Sequence, residues 1–180
     1  MLTSPLDNRR PDEGMGMRSS RTVSAAALLA TAAALAGCSG SDTGATTDPV
    51  KWDTARACDL ADDATLAPLL TVGVDEGTEA DSSGRVTCSW GSAEQLNTVA
   101  ITLTSAPQTA RELRTVDVAG LTGRVLAESK YQCIVEFETD SGVLSVETKF
   151  GLDATGNPDT SCDRAVPLAE HALGELGWTA

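Results

Sequence analysis

Aromatic residues, histidine and lysine are all scarce in this 180-residue chain, and each scarcity narrows what it can do. The aromatics are Trp52, Trp90, Trp178, Tyr131, Phe137 and Phe150. With so few rings, a core must rest on Val, Leu, Ile and Ala, with a Trp as an occasional large filler; an apolar content of 41% is enough for one. Sugar sites usually display exposed aromatics, so a glycan-cleaving surface has little to draw on. The single histidine, His171, rules out a metal-binding His pair, and any Ser–His–Asp triad would have to use it. No Gly-x-Ser-x-Gly elbow is present, and His171 lies in an amphipathic helical stretch, where the helix surface is its expected place. Basic residues number 13, ten of them Arg, against 26 acidic ones, for a net charge of −13. Phosphate backbones and anionic headgroups repel such a chain, which argues against a nucleic-acid partner. Attraction to a membrane has to come from something other than surface charge. There is no Cys-x-x-Cys pair, and cysteine spacings near 30 fit no zinc motif. No apolar run reaches the ~20 residues of a membrane-crossing helix.

What is present begins with Leu35-Ala36-Gly37-Cys38, which closes an uncharged Ala/Leu-rich run from Val23 to Ala36. Arg18 and Arg21 precede that run as a positive n-region, and Ser39-Gly40-Ser41 follows it. Leu at −3, small residues at −2 and −1 and Cys at +1 form a bacterial lipobox. Residues 1–37 therefore read as a signal peptide, with Cys38 the lipidated first residue of the mature chain, carrying acyl chains such as palmitate. Residues 1–16 have no periodicity and make a strange extension ahead of a signal peptide; translation is expected to begin at Met17, or at Met15. Residues 38–51 form a flexible tether rich in Ser, Gly, Thr and Asp. Residues 52–180 form a single domain.

Within that domain, Cys58 to Leu70 reads as a short helix with Leu60, Ala64, Ala67 and Leu70 on one face and Asp62 and Asp63 in its first turn. Pro68 calls for a kink or a late start. Residues 73–85 read as an acidic loop. Arg85–Trp90 and Leu96–Thr104 read as strands, the second alternating Val99, Ile101 and Leu103 against Ala100, Thr102 and Thr104. Ala106–Arg114 is a short helix or a loop. Thr115–Val118 and Arg124–Leu126 look like short strands. Gln132–Glu138 and Val143–Phe150 flank Thr139-Asp140-Ser141-Gly142 as a hairpin. From about Asp163 to Leu176 an amphipathic helix carries Ala165, Leu168, Ala169, Ala172, Leu173 and Leu176 in one stripe, with Pro167 expected in its first turn and Gly177 as its stop. The order predicts an α+β fold: an antiparallel sheet with an N-terminal and a C-terminal helix packed on one face.

Five cysteines is an odd number, and assigning Cys38 to lipid leaves Cys58, Cys88, Cys133 and Cys162 for disulfides. Three connectivities are possible. Cys58–Cys88 and Cys133–Cys162 are favoured, because each bond would staple a terminal helix to the sheet it covers. Closing loops of that size is worth about 3–4 kcal/mol each in the chain-entropy model. Trp90, two residues beyond Cys88, is expected to pack on the disulfide. Carboxylates are plentiful but no two are singled out as a glycosidase pair. The loop Asp153 to Asp159 offers oxygen ligands without EF-hand spacing or its closing Glu. No metal, cofactor or catalytic residue is assigned.

The Leu-Ala-Gly-Cys lipobox, Ala57-Cys58-Asp59-Leu60, Cys88-Ser89-Trp90, Cys133-Ile134-Val135-Glu136-Phe137 and Cys162-Asp163-Arg164-Ala165 before an Ala/Leu helix occur in that order. In this arrangement, over roughly residues 52–178, the chain resembles a family of actinobacterial lipoproteins, domain-of-unknown-function family thirty-five fifty-eight. Pro68 and Pro167 depart from the smoother helices expected of that family. The resemblance implies a cell-envelope lipoprotein and lends no catalytic residues. The reading is thus a secreted, non-enzymatic binding domain, anchored on the extracytoplasmic face of the cell membrane through acyl chains on Cys38. Its partner would be an envelope protein, a cell-wall component or a lipid. A carrier of lipid or small apolar ligands is the alternative, and a cell-wall hydrolase comes third.

Overall fold

The computed structural model describes residues 48–151, 156 and 161–180. The expected signal peptide, Cys38, most of the tether and the Asp153–Asp159 loop apart from Gly156 lie outside them. In chain order there is a 3-10 turn, Ala57–Leu60, then helix α1 (Asp63–Leu66) and strands β1 (Thr78–Ser82) and β2 (Arg85–Ser92). Strands β3 (Asn97–Thr104), β4 (Arg114–Val118), β5 (Leu121–Glu128), β6 (Gln132–Thr139) and β7 (Gly142–Phe150) follow, and helix α2 (Ser161–Glu175) comes last. All seven strands join one antiparallel sheet in the order β1-β2-β3-β7-β6-β5-β4. Two meanders, β1 to β3 and β4 to β7, meet where β3 pairs with β7. Both helices lie on one face, as expected.

Alternation along the strands decides which face that is. Register aligns Cys88, Ile101, Val146, Val135 and Val125 across five strands, and all five are buried. Over them α2 places Ala165, Leu168, Ala169, Ala172 and Leu173, with Leu176 just past its end, every one without exposed surface. The structure pairs Cys58 with Cys88 and Cys133 with Cys162, so each bond runs from the helical layer into the sheet beneath it. Trp90 is buried beside Cys88, and both side chains press on Gly77, where an added Cβ would lie 2.5 Å from the Cys88 Sγ and from the Trp90 indole nitrogen.

Several elements differ from the sequence expectation. The helix expected over Cys58–Leu70 is two separate turns, because Ala61 and Asp62 are extended. Asp62 caps the second turn: its carboxylate accepts from the Thr65 amide at 2.8 Å, and the Thr65 hydroxyl answers the Asp62 amide at 3.2 Å. The break rotates the apolar face. Leu66, Leu69 and Leu70 are buried with Leu60, whereas Ala64 and Ala67 are exposed. The acidic stretch expected as a loop contains β1, an edge strand with every side chain exposed, so no apolar alternation announces it. Residues 105–113 contain no regular element, which decides between helix and loop.

Helix α2 starts two residues before the expected Asp163, so Pro167 stands at its seventh position instead of in the first turn. Pro167 has no amide proton for the Asp163 carbonyl, a loss that normally breaks a helix. Here the first turn is tied down from outside. The Ser161 amide donates to the Ser129 carbonyl, its hydroxyl donates to the Gln132 carbonyl, and Cys162 is disulfide-bonded. Gly177, at φ 65°, ends the helix as expected: the Trp178 amide reaches the Leu173 carbonyl at 2.9 Å and the Gly177 amide that of Gly174 at 3.0 Å.

Ordered contacts also begin before Trp52. The Val50 amide donates to the Leu176 carbonyl at 2.9 Å, and the Trp178 indole donates back to the Val50 carbonyl at 2.8 Å. The Trp52 amide donates to the Ser141 carbonyl in the β6–β7 turn, and its side chain covers Gly142. A Cβ at Gly142, whose φ is 138°, would lie 2.5 Å from that of Trp52, so glycine is required there by backbone and neighbour alike.

Candidate functional site

The helix-free face of the sheet carries the polar half of the alternation. Register places Thr87, Thr102, Ser145, Glu136 and Arg124 in one row across β2, β3, β7, β6 and β5. The next row runs Ser89, Ala100, Glu147, Ile134, and the one beyond it includes Lys149 and Gln132. Two conditions turn this row pattern into a site: the rows must be covered enough to form a concavity, and some of their groups must remain unengaged.

Cover comes from the crossover 105–113. It leaves β3 and must reach β4 beyond β7, β6 and β5, so it passes over this face. The Glu136 carboxylate pins it there, accepting from the Gln108 amide at 3.2 Å and from Arg124 Nη2 at 2.9 Å. Arg124 Nη2 also donates to the Gln108 carbonyl at 3.2 Å, closing the clamp from the other side. The crossover leaves Glu136 only 3% exposed. A charge so buried is tolerated because Arg124 compensates it and an amide satisfies it. Below Ala106, Pro107 and Gln108 remains a pocket of about 230 Å³, with Arg85, Thr102, Thr104, Ile134, Glu136, Ser145 and Glu147 around it.

The pocket mixes both signs of charge with hydroxyl groups. Glu147 is compensated by Lys149 at 2.9 Å and accepts from Gln132 Nε2 at 3.0 Å. Thr102 and Thr87 share a hydroxyl hydrogen bond at 3.1 Å, and the Thr104 hydroxyl donates to the Ala106 carbonyl at 2.8 Å. Glu136 and Glu147 sit diagonally on neighbouring strands, a placement that puts their backbone positions about 7–8 Å apart. Two carboxylates thus share one concavity, although neither was distinguishable among the 26 acidic residues of the sequence. The available signal was their outward phase: Glu136 alternates with buried Val135 and Phe137, and Glu147 with Val146 and Thr148.

None of the sequence-predicted site residues lies in this pocket. The four disulfide cysteines belong to the opposite face, and Cys38 lies outside the described residues. His171 is half-buried on α2. Elsewhere Arg114 forms a two-pronged ion pair with Glu128, at 2.7 and 2.6 Å, which raises the guanidinium pKa further and joins β4 to β5. A shallower apolar depression lies at the β2–β3 and β5–β6 turns, where Leu96 and Tyr131 are exposed. No group of three or more metal-ligating side chains occurs among the described residues.

The model of a family described as "Protein of unknown function (DUF3558)" matches residues 33–175. No curated protein and no solved structure matches the chain.

Proposed function

Because the chain belongs to this DUF3558 family of unknown function, to which no activity is attached, we propose from its own residues that it is a secreted lipoprotein of the cell envelope. Acyl chains on Cys38 hold it to the extracytoplasmic face of the cell membrane, where its domain acts as a binding module and not as an enzyme. The observation that carries this reading is Leu35-Ala36-Gly37-Cys38 behind the uncharged run Val23–Ala36. Support comes from the two disulfides, which persist in oxidising compartments outside the cytoplasm. No helix among the described residues is long and apolar enough to cross a membrane.

Binding is preferred to apolar carriage because the space between helices and sheet is filled. Leu66, Phe137, Leu144, Leu168 and Leu173 meet there and are almost completely buried. Polar recognition is better supplied, by the pocket on the open face. A partner protein or a cell-wall component suits that pocket better than an apolar lipid does.

The test is metabolic labelling with a fatty acid in cells expressing the wild type or Cys38→Ala. Label on the wild type and none on the variant is expected, together with release of the variant from the membrane fraction. Equal label on both would overturn the assignment of Cys38, and an unlabelled wild type would overturn the anchor.

A further inference from the structure

We propose that the pocket under the 105–113 crossover binds a small zwitterion of amino-acid to dipeptide size. Its ammonium would be held by Glu136 and Glu147, and its carboxylate by Arg85. The inference rests on the reading of the domain as a binding module and names the chemistry of what it binds.

The groups left unengaged carry the argument. Glu136 uses one carboxylate oxygen, Oε2, for both Gln108 and Arg124. Glu147 likewise uses only Oε1, for both Gln132 and Lys149. Each glutamate therefore keeps a second oxygen without a partner among the described residues, and Glu136 is more than nine-tenths buried. Ser145 lies between them in the register, opposite Glu136 and next but one to Glu147 along β7. It is 8% exposed, lines the pocket, and its hydroxyl has no hydrogen bond among the described residues. Three oxygen acceptors thus line one pocket on adjacent register positions, which suits an ammonium with three N–H donors.

At the β2 side of the same pocket, the exposed Arg85 side chain makes no ion pair or hydrogen bond among the described residues. It is a free, forked guanidinium, the group best shaped for a carboxylate. Charge adds a second constraint. Arg124 and Lys149 already balance the two glutamates, and Arg85 leaves a local surplus of one positive charge. A simple cation would meet that surplus, and a simple anion would leave the oxygen acceptors unused. A ligand carrying both signs matches each side. Size agrees as well. Arg85 and Glu136 are three strands apart and two residues offset in register, about 16 Å between backbone positions, and the two side chains shorten that span to dipeptide length. A volume of about 230 Å³ accommodates such a molecule and excludes most larger ligands.

Calorimetric titration of the full chain with glycylglycine, N-acetyl-glycylglycine and glycylglycine amide tests the proposal. Glycylglycine is expected to bind, and each blocked form, having lost one charge, to bind at least about tenfold more weakly. Glu147→Gln and Arg85→Gln replace side chains on the open face and leave the core untouched, so both should keep the wild-type thermal midpoint. Each should weaken glycylglycine by about tenfold or more, while Arg85→Gln leaves the already weak amide unchanged. No binding of glycylglycine up to about 10 mM would overturn the proposal. So would equal binding of a blocked form, or unchanged affinity in either folded variant. None of these outcomes affects the fatty-acid label on Cys38, so failure of the pocket and failure of the anchor are read separately.

Discussion

Asp62 and Glu136 show how a single carboxylate is put to use on each side of the sheet. Asp62 is fully exposed, and its pKa is held below the ordinary carboxylate value, first by the Thr65 amide and then by the Thr65 hydroxyl. A group whose folded pKa is depressed contributes stability above its unfolded pKa and loses it as pH falls through the folded one. The stabilising difference between wild type and Asp62→Ala should therefore be full at neutral pH and shrink below about pH 4. Thermal midpoints taken from pH 6 to pH 3 would show it, and a difference that stays constant over that range would mean that the ionised carboxylate is not the cap. Glu136 is the opposite case. Its burial is a consequence of the crossover it clamps, and without Arg124 it would be an uncompensated buried charge. Asp62 was legible in the chain as a helix-starting residue. Glu136 was not, because its partners lie 12 and 28 residues away.

At the scale of elements, α2 holds together despite a proline in its interior. The missing hydrogen bond at Pro167 is offset by external ties at the first turn and by the apolar stripe beneath, while Pro167 itself is exposed. Pro167→Ala should restore the bond to the Asp163 carbonyl without disturbing the packed face, raising stability by about 1–3 kcal/mol. Urea unfolding of the disulfide-bonded protein measures this directly; a loss of stability would mean that the proline fits a bend the sheet requires. The strands were read more easily than the first helix, for a physical reason. A buried strand reveals itself through a two-residue alternation, which β3 keeps over its whole length and β7 keeps from Val146 to Phe150. The first helical segment has its period broken after one turn by Asp62, and β1 has no buried side chain to alternate.

For the molecule as a whole, both ends of the described chain meet at one end of the sheet. Trp178 joins them: it is 1% exposed, and its indole donates to the Val50 carbonyl. Trp178→Ala should cost about 3–5 kcal/mol and free the entering chain. Faster hydrogen exchange at the Val50 and Trp52 amides would report that release; unchanged protection at both would show that this segment is held without the indole. On the proposed anchoring, this is where the tether joins the domain.

From the sequence alone came the α+β class, the helical layer on one face, the inward phase of the strands and the pairing favoured for the cysteines. Each depends on periodicity or parity, which neighbouring residues along the chain carry by themselves. Strand order, the path of the crossover over the open face, and the meeting of Arg85, Ser145, Glu136 and Glu147 were decided only by tertiary structure. Those residues come from β2, β6 and β7, and only the pairing of β3 with β7 brings the two meanders, and with them both signs of charge, into one pocket.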